Sequence, residues 1–383
     1  MMEAPERPFA ELPGALVEEL LNYTQALSKE LGDEFYQIQN RRVRWREELR
    51  RESILGHVSS LPIGEIPTTS GIDGSYALER LLANDLAVVA ALGVEGLTPP
   101  SETRHWPFPH HKVWIEIEPH ESETGTLLRA IMMGLELILA AQAPHDVVLL
   151  DGSLTTPLIY FNQALNKRLE VPHLRTSLFL NDHMLEFLEA YATILTSSRS
   201  DHLWLAIPKY TTRREIASRL KWSTNHDDRA LLSFILEPGE LTFPTPLQNP
   251  SQPWHLNIEG LNDRNKSSLE QTVSHVTEAL YNLQVVYYRP YSWMPALRIE
   301  MSRSVAENPY RLALAMQAIY FQSSAPAIME PYPLYLADRM VKQLSSSIPA
   351  LRQIISQHIA ETYPGKIEEV FLGLHGYRTE SGV

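Results

Sequence analysis

The chain has 383 residues, of which 44% are hydrophobic and 21% are charged. These values are typical of a globular protein with a sizeable core, and they exclude collagen-like, disordered and coiled-coil proteins. The absence of cysteine excludes a disulfide scaffold, a thiol nucleophile and a cysteine-bound zinc site. Because the formal net charge is −13, no global basic field attracts nucleic acid, and any such binding must use local basic patches.

The chain shows no signal for export or membrane insertion. Its first residues, MMEAPERPFAEL, lack the basic-then-apolar pattern of a signal peptide. The apolar stretches around 86–94 and 131–141 are shorter than a bilayer span. We therefore expect a soluble, cytoplasmic protein with no membrane segment.

The N-terminal part of the sequence predicts one long helix. Apolar residues recur at spacings of three and four from Leu16 to Leu27, which predicts a helix over 14–56. The strongest basic cluster, 41–51, lies within it and is accompanied by glutamates. We interpret this cluster as a solvated helix face, and the alternative is an arm that contacts phosphate or docks a partner.

From residue 70 onwards the pattern changes to strands alternating with helices. The predicted strands are 70–75, 86–94, 112–118, 146–151 and 203–207, with helices at 127–141 and 157–169 between the later ones. Three strands that can form a meander, followed by β-α-β units, predict a mixed sheet flanked by helices. This is the order of the RNase H-like fold. A further strand pair is predicted at 283–289 and 296–301, and further helices at 309–322, 333–345 and 348–360.

These elements predict an α/β protein with helical extensions at both ends. The predicted parts are an N-terminal helical arm (1–66), an RNase H-like domain (67–345) and a C-terminal helical segment (346–383).

A repeated tripeptide provides the first indication of chemistry. Asp-Gly-Ser occurs at 73–75 and again at 151–153, and each copy is predicted at the end of an apolar strand. A glycine there allows the backbone to turn and leaves the aspartate facing a crevice. Carboxylates on adjacent strand ends can share a divalent cation, and such ligands select magnesium or manganese. The alternative is a pair of ordinary Asp-Gly turns.

Two further acids are candidates for the same site. Glu136 lies inside an otherwise apolar helix, where a carboxylate costs free energy unless a metal or a donor satisfies it. Its competitors, Glu121 and Glu123, stand at the predicted helix start, where charge complementarity with the helix suffices to explain them. Asp338 is predicted one turn into a later helix, and by itself it would be a surface residue beside Arg339.

Lysine and arginine residues near strand 203–207 are candidates for phosphate binding. Lys209 follows this strand and is predicted to contact phosphate or developing charge, or else to be a solvated lysine. A local basic patch comes soon after it and is predicted to bind nucleic acid; its members are Arg213, Arg214, Arg219 and Lys221. The aromatic tract 287–293 predicts either a stacking platform for single strands or core packing.

At these residues the sequence resembles the NurA nuclease family, the partner of the HerA hexameric helicase/translocase. The similar segments run from about residue 70 to 345, and they are GIDGS at 71–75, the Glu136 helix, VVLLDGSL at 147–154, WLAIPK at 204–209, PALRIE at 295–300 and EPYPLYLADRMVK at 330–342. Together, the paired Asp-Gly-Ser motifs and the later tracts form a fairly specific set.

The resemblance implies an RNase H-like, manganese-dependent nuclease that acts on DNA, with magnesium as the alternative ion. It implies homodimerisation and work with a HerA-type ATP-driven translocase in DNA end processing, repair or anti-phage defence. The implied site consists of Asp73, Glu136, Asp151 and Asp338. Well-known members carry histidine where this chain has Asp338, and this departure bears on the role of that residue and on the metal preference.

If this interpretation holds, two metal ions about 4 Å apart would serve phosphodiester hydrolysis, one on each side of the scissile phosphate. Asp73 would bridge them and the other three acids would complete the ligand shells. Two alternatives stay open, namely a catalytically weak adaptor that docks and regulates a hexameric helicase, and an RNase H-like enzyme that acts on RNA. The sequence has no P-loop, no HExxH motif and no GxSxG motif, so ATPase, zinc hydrolase and serine hydrolase classes are not supported.

Overall fold

The computed structural model describes residues 9, 12–199, 201–261, 266–376 and 378–382. The chain divides into two compact units, Met1–Ile54 and Leu55–Val383. The first contains helix α1, Gly14–Arg51. This helix ends five residues earlier than predicted because 55–57 forms a strand instead. Within the predicted basic cluster, Arg44 pairs with Glu48 one turn later at 2.9 Å, as expected for a solvated helix face.

The second unit is built on one sheet, which has eleven strands among the described residues. The strands are β1 Leu55–His57, β2 Thr69–Arg80, β3 Asp85–Glu95, β4 His110–Glu118, β5 Val147–Asp151, β6 Leu203–Ile207, β7 Glu240–Thr242, β8 Thr245–Pro246, β9 Gln284–Tyr288, β10 Leu297–Met301 and β11 Arg378–Gly382. The main path runs β1-β7-β9-β10-β6-β5-β2-β3-β4, while β8 pairs with β9 and β11 pairs with β2.

The centre of the sheet confirms the predicted RNase H-like order. Strands β2, β3 and β4 form an antiparallel meander, and β5 and β6 join the other edge of β2 in parallel orientation. In this mixed sheet, the carboxyl ends of β5 and β6 therefore lie at the same edge as the Asp73 segment of β2. Crevices at the carboxyl ends of parallel strands are where α/β proteins place their ligands.

Helices cover both faces of this sheet. They are α2 Thr124–Gln142, α3 Thr156–Arg168, α4 Arg175–Thr196, α5 Glu215–Arg219, α6 Asp228–Ile235, α7 Lys266–Leu280, α8 Arg303–Ala306, α9 Pro309–Gln322, α10 Tyr332–Val341, α11 Gln343–Thr362 and α12 Ile367–Gly373. One core cluster joins the sheet to α2, α3, α4 and α7, and a second joins it to α8, α9 and α10. A smaller cluster places Ile348 of α11 against β2 and β3.

Helix α2 is the central helix of the first core cluster. Among the described residues it alone is long and apolar enough to cross a membrane by length and composition. Most of it is buried inside the protein, and the core helix of a globular fold passes the same test. Its apolar character is accounted for by packing between β2, α3 and α4.

The structure also differs from the predicted elements later in the chain. Strand β2 continues through the first Asp-Gly-Ser to Arg80, so the prediction that the strand ends there is wrong. Helices α4 to α8 and α12, and the short strands β1, β7, β8 and β11, were not predicted. The domain boundaries at 66/67 and 345/346 stay predictions.

Candidate metal centre

The two Asp-Gly-Ser aspartates lie side by side on neighbouring strands. Strand β2 pairs with β5 in parallel register up to Ile72 opposite Leu150, so Asp73 and Asp151 are the next residues of each strand. On this edge of β2, pairing with β11 begins only at Tyr76. Among the described residues, neither β5 nor β11 is therefore registered against Asp73 and Gly74 on that side, and this gap in the strand pairing opens the crevice that holds the site.

The two motifs use their glycines in different ways. Gly152 has a φ of +79°, so it is the expected turn residue after β5. Gly74 instead lies within a continuous strand, and a Cβ at this position would stand 2.2 Å from Oε1 of Glu136. Gly74 thus allows the Glu136 side chain to pack directly against β2, because any larger residue at this position would clash with it.

Each aspartate accepts a hydrogen bond from the glycine that follows it, and Asp73 keeps its other carboxylate oxygen available for a ligand. The backbone N–H of Gly74 donates to Oδ1 of Asp73 at 2.8 Å, and that of Gly152 donates to Oδ1 of Asp151 at 2.8 Å. Oδ2 of Asp73 is buried and has no hydrogen-bond partner, and the same is true of Oε1 of Glu136. Buried carboxylate oxygens without a donor are costly, so they indicate a missing cation or proton.

Helix α10 brings Asp338 to the two strands. A Cβ at Gly71 of β2 would lie 2.5 Å from the backbone of Pro333, so this glycine lets the start of α10 lie directly on the strand. Asp338 follows on the same helix and reaches the strand ends. One oxygen each from Asp73, Asp151 and Asp338 lie within 4.8 Å of one another, a spacing that suits a shared metal ion.

Lys209 lies inside this cluster of acids. Its Nζ is 3.0 Å from Oδ2 of Asp151, 3.1 Å from Oε2 of Glu330 and 3.5 Å from Oδ1 of Asp338. Lys342, which directly follows α10, pairs with Asp338 at 2.9 Å. Five carboxyl groups thus stand near three cations, Lys209, Lys342 and Arg129, and a divalent cation would balance the remaining carboxylates.

The pKa shifts follow from burial and from this crowding. Burial, and after it the charge of Asp151, raises the pKa of Asp73 to about 8. Burial raises the pKa of Glu136 well above its ordinary value, with Asp73 and Asp151 adding to the effect. Burial disfavours the ammonium of Lys209, but Asp151 and Glu330 outweigh it and raise the pKa of Lys209. Burial also raises the pKa of Glu330, although Lys209 opposes this.

One cavity of about 410 Å³, here called the carboxylate cavity, contains all five predicted catalytic residues: Asp73, Glu136, Asp151, Lys209 and Asp338. Glu121 and Glu123, the competitors of Glu136, do not line it. Glu123 lies 3.5 Å from Lys167, and Glu121 lies 3.7 Å from His173.

Only one of the four residues of the predicted basic patch lies at a cavity near the acids. Arg213 lines a second cavity of about 600 Å³ next to the first. Arg214, Arg219 and Lys221 line neither of these two cavities, and the last two side chains are exposed to solvent. Contact of these residues with nucleic acid stays a prediction.

Other cations were missed by the sequence reasoning. Arg129 and Lys342 line the carboxylate cavity, and the Arg129 guanidinium lies 5.0 Å from the centre of the Tyr160 ring. A signal for Arg129 was present, because it precedes Glu136 by seven residues, which is two helical turns, and thus shares its helix face. Glu330 belongs to the tract EPYPLYLAD, but its approach to Lys209 depends on the fold.

The aromatic tract 287–293 begins in the protein interior and ends at the surface. Tyr287 and Tyr288 are fully buried, so the stacking-platform alternative is wrong for them. The hydroxyl of Tyr287 donates to Glu215 at 2.8 Å. Tyr291 stacks on Trp293 at 4.5 Å between ring centres. In the described ranges, the carboxylate trio is the one group of three or more histidines or acids that could hold a metal ion.

No protein-family model matches the sequence, and no curated protein matches it by sequence. Solved structures, however, resemble the fold over most of its length. The NurA nuclease from Sulfolobus solfataricus superposes with a TM-score of 0.56 at 15% identity, covering 93% of this chain and all of that one. A NurA structure with manganese gives 0.52 at 14% identity, covering 88% of this chain and 98% of that one. The similarity therefore establishes that this chain has a NurA-like fold.

Proposed function

We propose that this protein is a divalent-metal-dependent deoxyribonuclease that hydrolyses phosphodiester bonds at single- and double-stranded DNA ends. One observation carries the proposal: oxygens of Asp73, Asp151 and Asp338 lie within 4.8 Å of one another, with Glu136 in the same cavity. This arrangement stands in a fold similar to that of a protein described as a nuclease.

The residues of the site fit a hard divalent cation. All the donor atoms are carboxylate oxygens, which suit manganese or magnesium rather than zinc or copper. The unpartnered oxygens of Asp73 and Glu136 mark the places where ligand bonds are lacking. Manganese is our first choice because one of the similar NurA structures was determined with it. When bound, such an ion supplies charge stabilisation to the phosphate and activates water.

The chain's own residues would bind and orient the substrate. Lys209 holds Asp151, Glu330 and Asp338 in place, and its ammonium charge lies beside the position that a phosphate would take. Arg129 and Lys342 add positive charge at the opening of the carboxylate cavity. Because the chain as a whole carries −13, these local cations are where a phosphate backbone would lie.

The test is a cleavage assay on labelled linear DNA, single- and double-stranded, with manganese, magnesium or EDTA. The comparison is wild type against Asp151→Asn, with Asp182→Asn on the exposed surface of α4 as the matched control. We expect metal-dependent cutting that disappears in Asp151→Asn and persists in Asp182→Asn. An RNA oligonucleotide of the same sequence distinguishes a deoxyribonuclease from an enzyme that acts on RNA. Faster cutting of the RNA than of the DNA would contradict the proposal.

We also propose a HerA-type translocase and a second copy of this chain as partners, working in DNA end processing, repair or defence. The observation that favours a docking surface is on α1, where Leu20, Leu27, Leu31 and Phe35 are about half exposed along one stripe. Addition of the translocase with ATP should stimulate cutting, and light scattering should give a dimer. A silent protein under all these conditions would favour the adaptor instead.

A further inference from the structure

The 600 Å³ cavity beside the carboxylate cavity has no role in the site described so far. We call it the side groove. It shares Ser153, Thr156, Pro208, Lys209 and Tyr210 with the carboxylate cavity, so the two form one continuous depression. A chain passing over the acids therefore enters the side groove next. Its volume is within the range of about 300–1,000 Å³ of small-molecule clefts.

The side groove is positively charged, unlike the protein as a whole. Its charged lining residues are four cations (Lys209, Arg213, Arg229 and Arg298) and two acids (Asp227 and Glu300). Within the described ranges, no carboxylate lies within ion-pair distance of Arg213 or Arg229. Nη1 of Arg229 donates to the carbonyl of Lys209 at 2.6 Å, and its Nε is buried without a partner. Two guanidinium charges are thus left for an anion.

The floor of the groove is rigid and connected to the site. Arg298 is fully buried and pairs with Glu215 at 2.7 Å and with Glu300. Glu300 in turn accepts from the Ser153 hydroxyl at 2.8 Å and from the Leu154 N–H at 2.8 Å. This network anchors the loop directly after Asp151, so the groove and the carboxylates are held in fixed relative positions.

Tyr210 stands at the junction of the two cavities. It directly follows Lys209, and 94% of its surface is exposed. Its side chain makes no hydrogen bond or ring contact with any residue that the structure describes. An exposed aromatic ring beside Lys209 and two arginines that have no carboxylate partner among the described residues has the composition of a stacking site for a nucleobase.

We propose that the side groove binds the nucleotide adjacent to the scissile phosphate, with its base stacked on Tyr210 and its phosphate held by Arg213 and Arg229. This inference rests on the proposed nuclease function and specifies its substrate. Inside a duplex both faces of a base are already stacked, so Tyr210 can stack on a base there only after that base has left the duplex. The strand at the site is therefore single-stranded, as in an overhang or a frayed end.

The test compares Tyr210→Ala with Tyr210→Phe, and uses Tyr310→Ala as the matched control. Tyr310 is 74% exposed on α9 and lines neither cavity. The probe is a single-stranded oligodeoxynucleotide that carries 2-aminopurine, whose fluorescence falls on stacking. Binding is measured in the Asp151→Asn background so that nothing is cut, and cleavage is measured in the wild-type background with manganese.

We expect Tyr210→Ala to weaken binding by about 5- to 150-fold, the range that loss of one base–aromatic stack produces, and to abolish the quenching. The loss should appear in KM more than in kcat. Tyr210→Phe and Tyr310→Ala should stay within about twofold of the parent. An abasic nucleotide at the flanking position should mimic Tyr210→Ala, and the two changes together should not add.

Unchanged binding and quenching in Tyr210→Ala would overturn the inference, even if the wild type cuts DNA in an Asp151-dependent manner. Conversely, failure of the wild type to cut even with the translocase and ATP would overturn the nuclease proposal, while Tyr210-dependent quenching would still show that the side groove binds a base. Equal cutting of blunt and forked duplex ends by the wild type would also contradict the side-groove inference, because the unpaired strand of a forked end should be cut faster.

Discussion

Replacement of Gly74 by alanine should remove activity while leaving the fold intact. The added Cβ would stand 2.2 Å from Oε1 of Glu136, whereas ordinary contact begins at 3.4 Å. The carboxylate must therefore withdraw by about 1.2 Å, the difference between these two distances. Misplacement of a catalytic group by about 1 Å costs on the order of 10²-fold in rate, so we expect a loss of that size.

The stability cost should be small because the clash is with movable side chains. Besides Glu136, the nearest atom is the Cγ of Met132 at 2.8 Å, and both side chains can rotate away. Overpacking of this kind costs about 1–3 kcal/mol, partly offset by the lower chain entropy of alanine in the unfolded state. Gly125→Ala is the matched control, because its Cβ would meet only the Tyr76 hydroxyl at 3.9 Å.

The assay is the initial rate of cleavage of labelled single-stranded DNA with manganese, alongside thermal denaturation of each variant. If Gly74 acts through Glu136, the double variant Gly74→Ala, Glu136→Gln should be no slower than Glu136→Gln alone. Multiplied losses in the double variant would refute the reasoning. So would a folded Gly74→Ala protein that cuts within twofold of the wild-type rate.

Three further predictions concern the remaining charges. In the cleavage assay with manganese, Asp338→His should keep most of the activity and Asp338→Ala should lose it, because an imidazole nitrogen can also bind this ion. Equal loss of activity in both variants would show that the carboxylate itself is needed. Glu330→Gln should slow cleavage far less than Lys209→Met, because Glu330 acts on the site only through its ion pair with Lys209. A larger loss in Glu330→Gln than in Lys209→Met, in the same assay, would contradict this. Burial raises the pKa of Asp73 from 3.8 to about 8, so its contribution to the stability of the metal-free protein is present below pH 3.8 and is lost as the pH rises to about 8. The denaturation midpoint in EDTA should therefore fall more steeply over this interval in the wild type than in Asp73→Asn, and parallel curves would contradict the shift.

The central strands and the acids could be predicted from sequence because their signals are local. Strands such as 203–207 are short apolar runs bounded by polar residues, and their limits agree with the structure. Glu136 was identifiable because one carboxylate in an apolar helix violates the pattern of its neighbours. Asp338 carried no such signal, and only its resemblance to a known tract singled it out.

Features that depend on distances between remote segments could not be predicted. The role of Gly74 depends on where α2 crosses β2, and nothing in the tripeptide distinguishes it from the turn at Gly152. The side groove likewise combines residues from β10, α6 and the loop after β6. Short strands such as β7 and β8 lack enough residues for a period-2 pattern, so their pairing partners define them.

The duplicated Asp-Gly-Ser thus performs two different physical tasks, and the site requires both. At 151–153 the strand ends and its glycine turns the chain, which leaves Asp151 at the edge of the crevice. At 73–75 the strand continues, and its glycine admits a carboxylate from α2. Gly71 and Gly74 face opposite sides of β2, so α10 approaches one face and α2 the other. Among the described residues, β5 pairs with β2 up to Ile72 and β11 pairs with it from Tyr76 onwards, so acids from both faces of the sheet can meet between these two points. A turn glycine in place of the continuing strand would remove Glu136 from the cluster, so the two copies are not interchangeable despite their identical letters.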